Sequence, residues 1–229
     1  MRTASRVLAI AALSTALAAQ APQPPPRVLP AAATTQLAAS LKAATPHARH
    51  IWRDTPPGAA SDTVTAYIEI ARGDRQKWEF DMSANRRAID RMMPASIGGY
   101  PVNYGYVPQT VSYDGDPFDA LVLGPPLAGG TIVRGVIVGL MYMEDEKGLD
   151  SKVVLSLLDG RGRPTHQLTP QVREQIAGYF RKYKEHEPGK FSRVPGWGSI
   201  EEGRAYVATT HAFFKECDAR AGAACEIAK

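Results

Sequence analysis

The densest chemistry in the chain is the run Asp114-Gly115-Asp116-Pro117-Phe118-Asp119, three carboxylates within six residues. Gly115 and Pro117 favour a tight turn, so the acids stand close together. At about 4 Å a like-charged pair costs about 1 kcal/mol in water and about 4 kcal/mol at an effective dielectric of about 20. A solvated acidic turn accepts the first cost; a cation among the carboxylates removes the second. Hard oxygen donors suit magnesium, manganese or calcium better than zinc. An EF-hand does not account for the run, because Pro117 breaks the loop and Pro125 stands where the bidentate Glu belongs.

A second acidic cluster runs Glu144-Asp145-Glu146-Lys147-Gly148-Leu149-Asp150-Ser151-Lys152. Glu69 and Glu79 add further carboxylates, and Lys77, Arg91, Lys152 and Lys184 are interleaved with them. Binding a metal–phosphate complex requires this mixture: acids hold the cations, while bases and tyrosines take the remaining phosphate oxygens. No P-loop or dinucleotide glycine pattern is present, and no Ser-His-Asp arrangement is evident. The five histidines do not pair at ligand spacing, so His166 and His211 are expected on the surface or in the core.

These residues belong to a longer ordered set: Ile68-Glu69-Ile70, Lys77-Trp78-Glu79, Asp90-Arg91, Tyr100-Pro101, Asn103-Tyr104-Gly105-Tyr106, the acidic run, Asp145 with Asp150-Ser151-Lys152, Tyr183-Lys184 and Gly196-Trp197. On these motifs the chain from about Asp62 to Cys217 resembles a family I soluble inorganic pyrophosphatase. The resemblance implies an α+β, mainly β fold, an OB-like five-stranded β-barrel with packed C-terminal helices and the site at its mouth. It implies magnesium-dependent hydrolysis of pyrophosphate to two phosphates by direct attack of a metal-bridged hydroxide, with Asp116 as general base. Several magnesium ions per site are implied, with manganese or another divalent cation able to replace them. Carried over residue by residue, Asp114, Asp119 and Asp150 hold the first metal, and Asp119 also reaches the second. Asp145 and Asp150 bind metals that arrive with substrate, Glu79 binds another, and Glu69 acts through metal-bound water. Lys77, Arg91, Tyr104, Lys152, Tyr183 and Lys184 match residues that contact phosphate, and Tyr100 matches a supporting tyrosine. Pyrophosphate and further copies of the chain in a homo-oligomer are the implied partners, with no nucleic acid.

Three departures stand against that pattern. Leu149 replaces an acid beside Asp150. The segment 159–168 is short, and Gly178 and Lys182 replace histidines that some bacterial relatives use at a subunit contact. The last two depart from the contacts of the usual hexamer. Hydrolysis of other phosphoanhydrides, and calcium or phosphate binding without turnover, are the alternative readings.

The elements that must position these groups follow from periodicity. Residues 64–70 alternate, placing Val64, Ala66, Ile68 and Ile70 on one face and Glu69 on the other. Residues 77–80 alternate again, with Trp78 and Phe80 opposite Lys77 and Glu79. Further strands are expected at 120–123, 131–143 and 152–158. Thr169-Pro170 predicts an N-cap and first turn, with Val172, Ile176, Tyr179, Phe180 and Tyr183 on one stripe. Ser199-Ile200-Glu201-Glu202 reads as a capping box for a helix reaching about Glu216.

The flanks are different in kind. Residues 1–21 have a basic start, an apolar stretch from Val7 to Ala19 and the small-x-small ending Ala19-Gln20-Ala21, the form of a Sec-type signal peptide. A periplasmic or secreted product without a stable membrane span is expected. Residues 22–60 are rich in Pro and Ala and are expected to be a linker, with a weak helix near Thr35–Ala44. The folded domain is expected over residues 61–229. Cys217 and Cys225 are a possible disulfide in an oxidising compartment. The net charge of +4 is scattered, and no Lys/Arg block marks a polyanion surface.

Overall fold

The computed structural model describes residues 24–58 and 63–218. The signal-like residues 1–21 and Cys225 lie outside the described residues. In chain order the elements are α1 (Ala31–Ala44), α2 (Ile51–Asp54), β1 (Thr63–Ile70), β2 (Gln76–Asp81), β3 (Arg86–Met92), β4 (Asn103–Tyr106) and β5 (Asp119–Leu123). There follow β6 (Ile132–Asp145), β7 (Gly148–Leu149), β8 (Lys152–Leu157), α3 (Pro170–Lys182), β9 (Ser192–Gly198) and α4 (Ile200–Asp218).

Five strands close into a ring in the order β1-β4-β5-β8-β6, with β6 returning to pair with β1. All the ring pairings are antiparallel except β5 with β8. This is the OB-like barrel. β6 is long enough to hold β1, β8, β7 and β9 along its length. β2 and β3 form a separate hairpin, paired from Gln76↔Met92 to Asp81↔Arg86.

Both long C-terminal helices start as their sequences dictate. The Thr169 hydroxyl accepts from the Val172 amide, and Pro170 occupies the first turn of α3. At α4 the Ser199 amide donates to Glu202 Oε2 at 2.8 Å and the Glu202 amide donates to Ser199 Oγ at 3.2 Å, a reciprocal capping box. The apolar stripe of α3 packs on one side of the ring with Ile70, Leu121 and Met141. α4 packs on another apolar cluster with Ile68, Phe118 and Leu140.

Residues 24–58 differ from the expected linker. They pack as folded structure, with Leu29, Ala33, Leu37 and Trp52 in the same cluster as α4 and the barrel. Leu37 is fully buried and Trp52 is 1% exposed. Burying a Leu or larger apolar side chain contributes roughly 1.5–3 kcal/mol, enough to hold a segment of low intrinsic structure. Trp52 Nε1 also donates to the Thr110 carbonyl at 3.0 Å. Among the described residues no helix is long and apolar enough to cross a membrane.

Candidate active site

The acidic loop leaves the end of β4 and re-enters the barrel as β5. Phe118, fully buried, is its apolar anchor, and the Phe118 amide donates to Thr110 Oγ1 at 2.9 Å. The turn itself is closed by the Ser112 amide donating to the Asp116 carbonyl at 2.7 Å, and by Gly115 at φ +93°. A residue with a Cβ is disfavoured at that angle, which is why glycine stands there. The loop therefore presents Asp114, Asp116 and Asp119 into one cavity of about 460 Å³.

The hairpin between β6 and β8 supplies Asp145, Lys147, Asp150 and Lys152 to the same cavity. Glu69 arrives from the end of β1, Lys77 and Glu79 from β2, Tyr104 from β4, and Tyr183 and Lys184 from the end of α3. Charged groups separated by more than a hundred residues thus face one space. Two of the sequence-assigned residues stand behind it. Arg91 bonds Asp90 Oδ2 at 2.6 Å and Glu187 Oε1 at 2.7 Å. Tyr100 is 1% exposed and its hydroxyl lies 3.0 Å from that of Tyr183. Cys217, at the end of α4, is disulfide-bonded and does not line the cavity.

Lysines and carboxylates are matched unevenly. Lys152, 2% exposed, bonds Asp119 and lies 2.8 Å from Asp150 Oδ1, and Tyr104 donates to Asp119 Oδ2 at 2.6 Å. Lys184 reaches Asp145 at 2.6 Å and Glu146 at 2.8 Å. Lys77 bonds Glu79 and lies 3.0 Å from Asp90. Asp114 has no ion pair among the described residues, and Asp116 has only Lys147 at 3.6 Å.

The protonation equilibria follow from that imbalance. Burial, then the Asp116 and Asp119 charges, push the Asp114 carboxyl up to about 7. Burial also raises Asp116, against the opposing Lys147 charge, although half of its side chain reaches solvent. Glu69 is raised well above the usual range by burial and by Asp119. Asp150 is raised by burial despite the opposing charge of Lys152. Burial alone would lower Lys152, but Asp119 and Asp150 outweigh it and the net shift is upward. Carboxylates that hold protons this tightly mark a site short of positive charge.

The residues fit a hard divalent cation on that ground. The donors are all carboxylate oxygens, and Asp114, Asp116 and Asp150 lack enough cationic charge of their own. Among the described residues no three acidic, His or Cys side chains already stand at metal-ligand spacing; Lys152 occupies the gap between Asp119 and Asp150.

The sequence reading missed part of the wall. Gln36, Ala39, Ser40 and Ala43 of α1 line the cavity, as do Phe80, Met82 and Tyr106. The Tyr106 hydroxyl is buried without a hydrogen-bond partner. Tyr106 was visible within the Asn-Tyr-Gly-Tyr motif; nothing in the α1 sequence signals a site.

Residues 66–215 match the family model described as inorganic pyrophosphatase. The chain is 40% identical over 159 residues to the inorganic pyrophosphatase of Aeropyrum pernix, covering 66% of this chain and 90% of that protein. It is 36% identical over 160 residues to that of Saccharolobus solfataricus, covering 66% and 92%. Among solved structures, the inorganic pyrophosphatase from Thermus thermophilus superposes with a TM-score of 0.65 at 34% identity, covering 72% of this chain and 98% of that one.

Proposed function

The chain belongs to the inorganic pyrophosphatase family and is a hydrolase of inorganic pyrophosphate, and from that premise we propose a magnesium-dependent reaction outside the cytoplasm, with Asp116 as the general base. One observation carries the reading: the Asp114–Asp119 loop, the Asp145–Asp150 hairpin and the cations Lys77, Lys152 and Lys184 line one cavity. Asp114, Asp119 and Asp150, with Asp145, Glu69 and Glu79, would hold the metal. Bound there, magnesium supplies the charge that acidifies a water molecule and neutralises the leaving phosphate.

The chain's own groups do the rest. Asp116 has solvent access and a raised affinity for protons, which brings it nearer the pH at which a general base works best. Lys77, Lys152, Lys184, Tyr104 and Tyr183 donate hydrogen bonds or charge to phosphate oxygens. Tyr100 fixes the Tyr183 hydroxyl from behind. Arg91, braced by Asp90 and Glu187, acts on the site through Asp90, which also holds Lys77.

Phosphate release from pyrophosphate, measured with and without magnesium, is the direct test. No turnover with magnesium present would defeat the proposal. Export is supported by the form of residues 1–21 and by the disulfide at Cys217. Mass spectrometry of the mature protein should show a start after Ala21, and an intact Met1 start would count against export.

A further inference from the structure

The segment that precedes the family match runs along one side of the cavity and is tied down at both ends. On one side α1 lies against the acidic loop. A Cβ placed on Gly115 would meet Gln36 Cβ at 2.5 Å and Ala33 Cα at 3.1 Å, and the Tyr113 hydroxyl donates to the Pro26 carbonyl at 2.7 Å. On the other side the chain after α1 holds the turn of the β2–β3 hairpin. His47 Nε2 lies 2.7 Å from the Ser83 carbonyl and His50 Nε2 lies 2.9 Å from that of Met82. The Ile51 amide donates to Asn85 Oδ1 at 2.8 Å, and Asn85 Nδ2 donates to the Arg49 carbonyl at 3.0 Å. Between these anchors Gln36, Ala39, Ser40 and Ala43 form one wall of the cavity.

We propose that this segment is a specificity wall, which admits inorganic pyrophosphate and shuts out phosphoanhydrides that continue beyond two phosphates or carry an organic group. The inference rests on the pyrophosphate reading of the site. Pyrophosphate ends in a terminal phosphate on each side, so a wall along one side of the cavity leaves it room. A polyphosphate chain or a nucleoside diphosphate must lead its remainder out of the cavity. That remainder needs a cation, an aromatic face or open water, and the four α1 residues that line the cavity are neutral and mostly small. The cations of the cavity come from the other walls, where they meet the acids that would hold the metal and stand ready for the two reacting phosphates.

The test compares pyrophosphate, tripolyphosphate and ADP at saturating magnesium, in the full chain and in a His47→Ala/Asn85→Gly double variant. Neither residue belongs to the catalytic machinery, and Asn85 sits at φ +53°, where glycine is at ease. Leu37 and Trp52 keep the segment packed, so the variant loosens one anchor without removing the core. The full chain should prefer pyrophosphate over tripolyphosphate by roughly 100-fold or more in kcat/KM, and the double variant should reduce that preference by about tenfold with the pyrophosphate rate within about threefold. A purely structural brace would lower the melting temperature and leave the preference unchanged, which would overturn the wall. Ala39→Trp decides independently of the double variant's folding, because Ala39 is exposed on α1 and lines the cavity. Its KM for pyrophosphate should rise about fivefold with kcat little changed, the sign of obstructed entry; an unchanged KM would overturn the wall. Equal turnover of all three substrates by the full chain would overturn the inference alone. Turnover of none would overturn the proposed function, and this inference with it.

Discussion

Two acidic segments of equal length face the same cavity, 114–119 and 145–150, and they solve the problem of their own charge differently. The hairpin 145–150 has its cations within reach: Lys184 lies 2.6 Å from Asp145 and Lys152 2.8 Å from Asp150. The loop 114–119 is served mainly at its end, where Lys152 also bonds Asp119; Asp116 borrows Lys147 from the other segment at 3.6 Å and Asp114 is held protonated up to about 7. The loop is also the more enclosed, anchored by buried Phe118 and in contact with α1, whereas Glu146, Lys147 and Gly148 are exposed. The contrast assigns different work to them. A buried, electron-rich loop is suited to a resident cation, and a hairpin that is ion-paired at both ends and exposed at its tip is suited to groups that rearrange when a charged substrate arrives.

The largest expected effect breaks the first segment's chemistry. Asp116→Asn should lower kcat about 10²- to 10⁴-fold, the usual span for losing a general base, with folding unchanged by circular dichroism. Full activity in this variant would remove Asp116 from the mechanism. Next is the lysine that links the two segments. Lys152→Met leaves Asp119 and Asp150 facing one another without their buried cation, which should cost about 3–5 kcal/mol in urea unfolding of the metal-free protein. Lys147→Met removes an exposed partner of Asp116 and should cost under about 1 kcal/mol. Equal costs would erase the distinction between the buried cation shared by both segments and the exposed one.

The acids were legible in the sequence because the loop concentrates them and because the order of motifs along the chain is distinctive. The ring was legible in part: alternation marked β1, strand-forming runs marked β5, β6 and β8, and alternation also marked β2 of the separate hairpin. It did not mark β3, where Ile89 and Met92 are exposed rather than packed, nor β4, whose Asn103-Tyr104-Gly105-Tyr106 has no clear polar face. On β1 alternation suggested one polar face, yet Glu69 is 7% exposed because that face turns into the cavity instead of solvent. α1 was legible only as a weak helix near Thr35–Ala44, and its packing on the barrel was hidden for a different reason. It lacks a side-chain N-cap, begins after Pro30 and has no acid in its first turn, so its helical state depends on Ala33 and Leu37 meeting the barrel. Contacts between distant segments leave no local mark, and composition alone reads such a stretch as a linker.

The two turn glycines sharpen the comparison. Gly115 and Gly148 both sit at positive φ, +93° and +116°. A Cβ on Gly148 would meet nothing within 4 Å, so Gly148→Ala should cost only the backbone strain, about 1 kcal/mol. A Cβ on Gly115 would also strike Gln36 and Ala33, adding about 1–3 kcal/mol of overpacking. Thermal melts of the two variants measure the difference, which should vanish if α1 does not rest on the loop.

The smallest effect concerns what keeps α1 in place. His50 is fully buried; its Nδ1 accepts the Arg53 amide at 3.3 Å, so Nε2 carries the proton donated to Met82. Only the neutral ring satisfies both partners. Burial is the main cause of its lowered pKa, opposed by the Met82 carbonyl and reinforced by His47 and Arg53, with Asp54 opposing. The folded protein therefore binds this proton less readily than the unfolded chain does. The stability His50 adds is whole above about pH 6.5 and is lost as pH falls through the lower folded value. Between about pH 7 and 5 the melting temperature should fall by a few degrees more than in His50→Gln, which has no ring to protonate. Since α1 rests on the first segment at Gly115, hydrogen exchange in that acidic range should quicken at residues 112–116 before it does at 145–150. Parallel exchange in the two segments would mean that the helix resting on the first one is not what protects it.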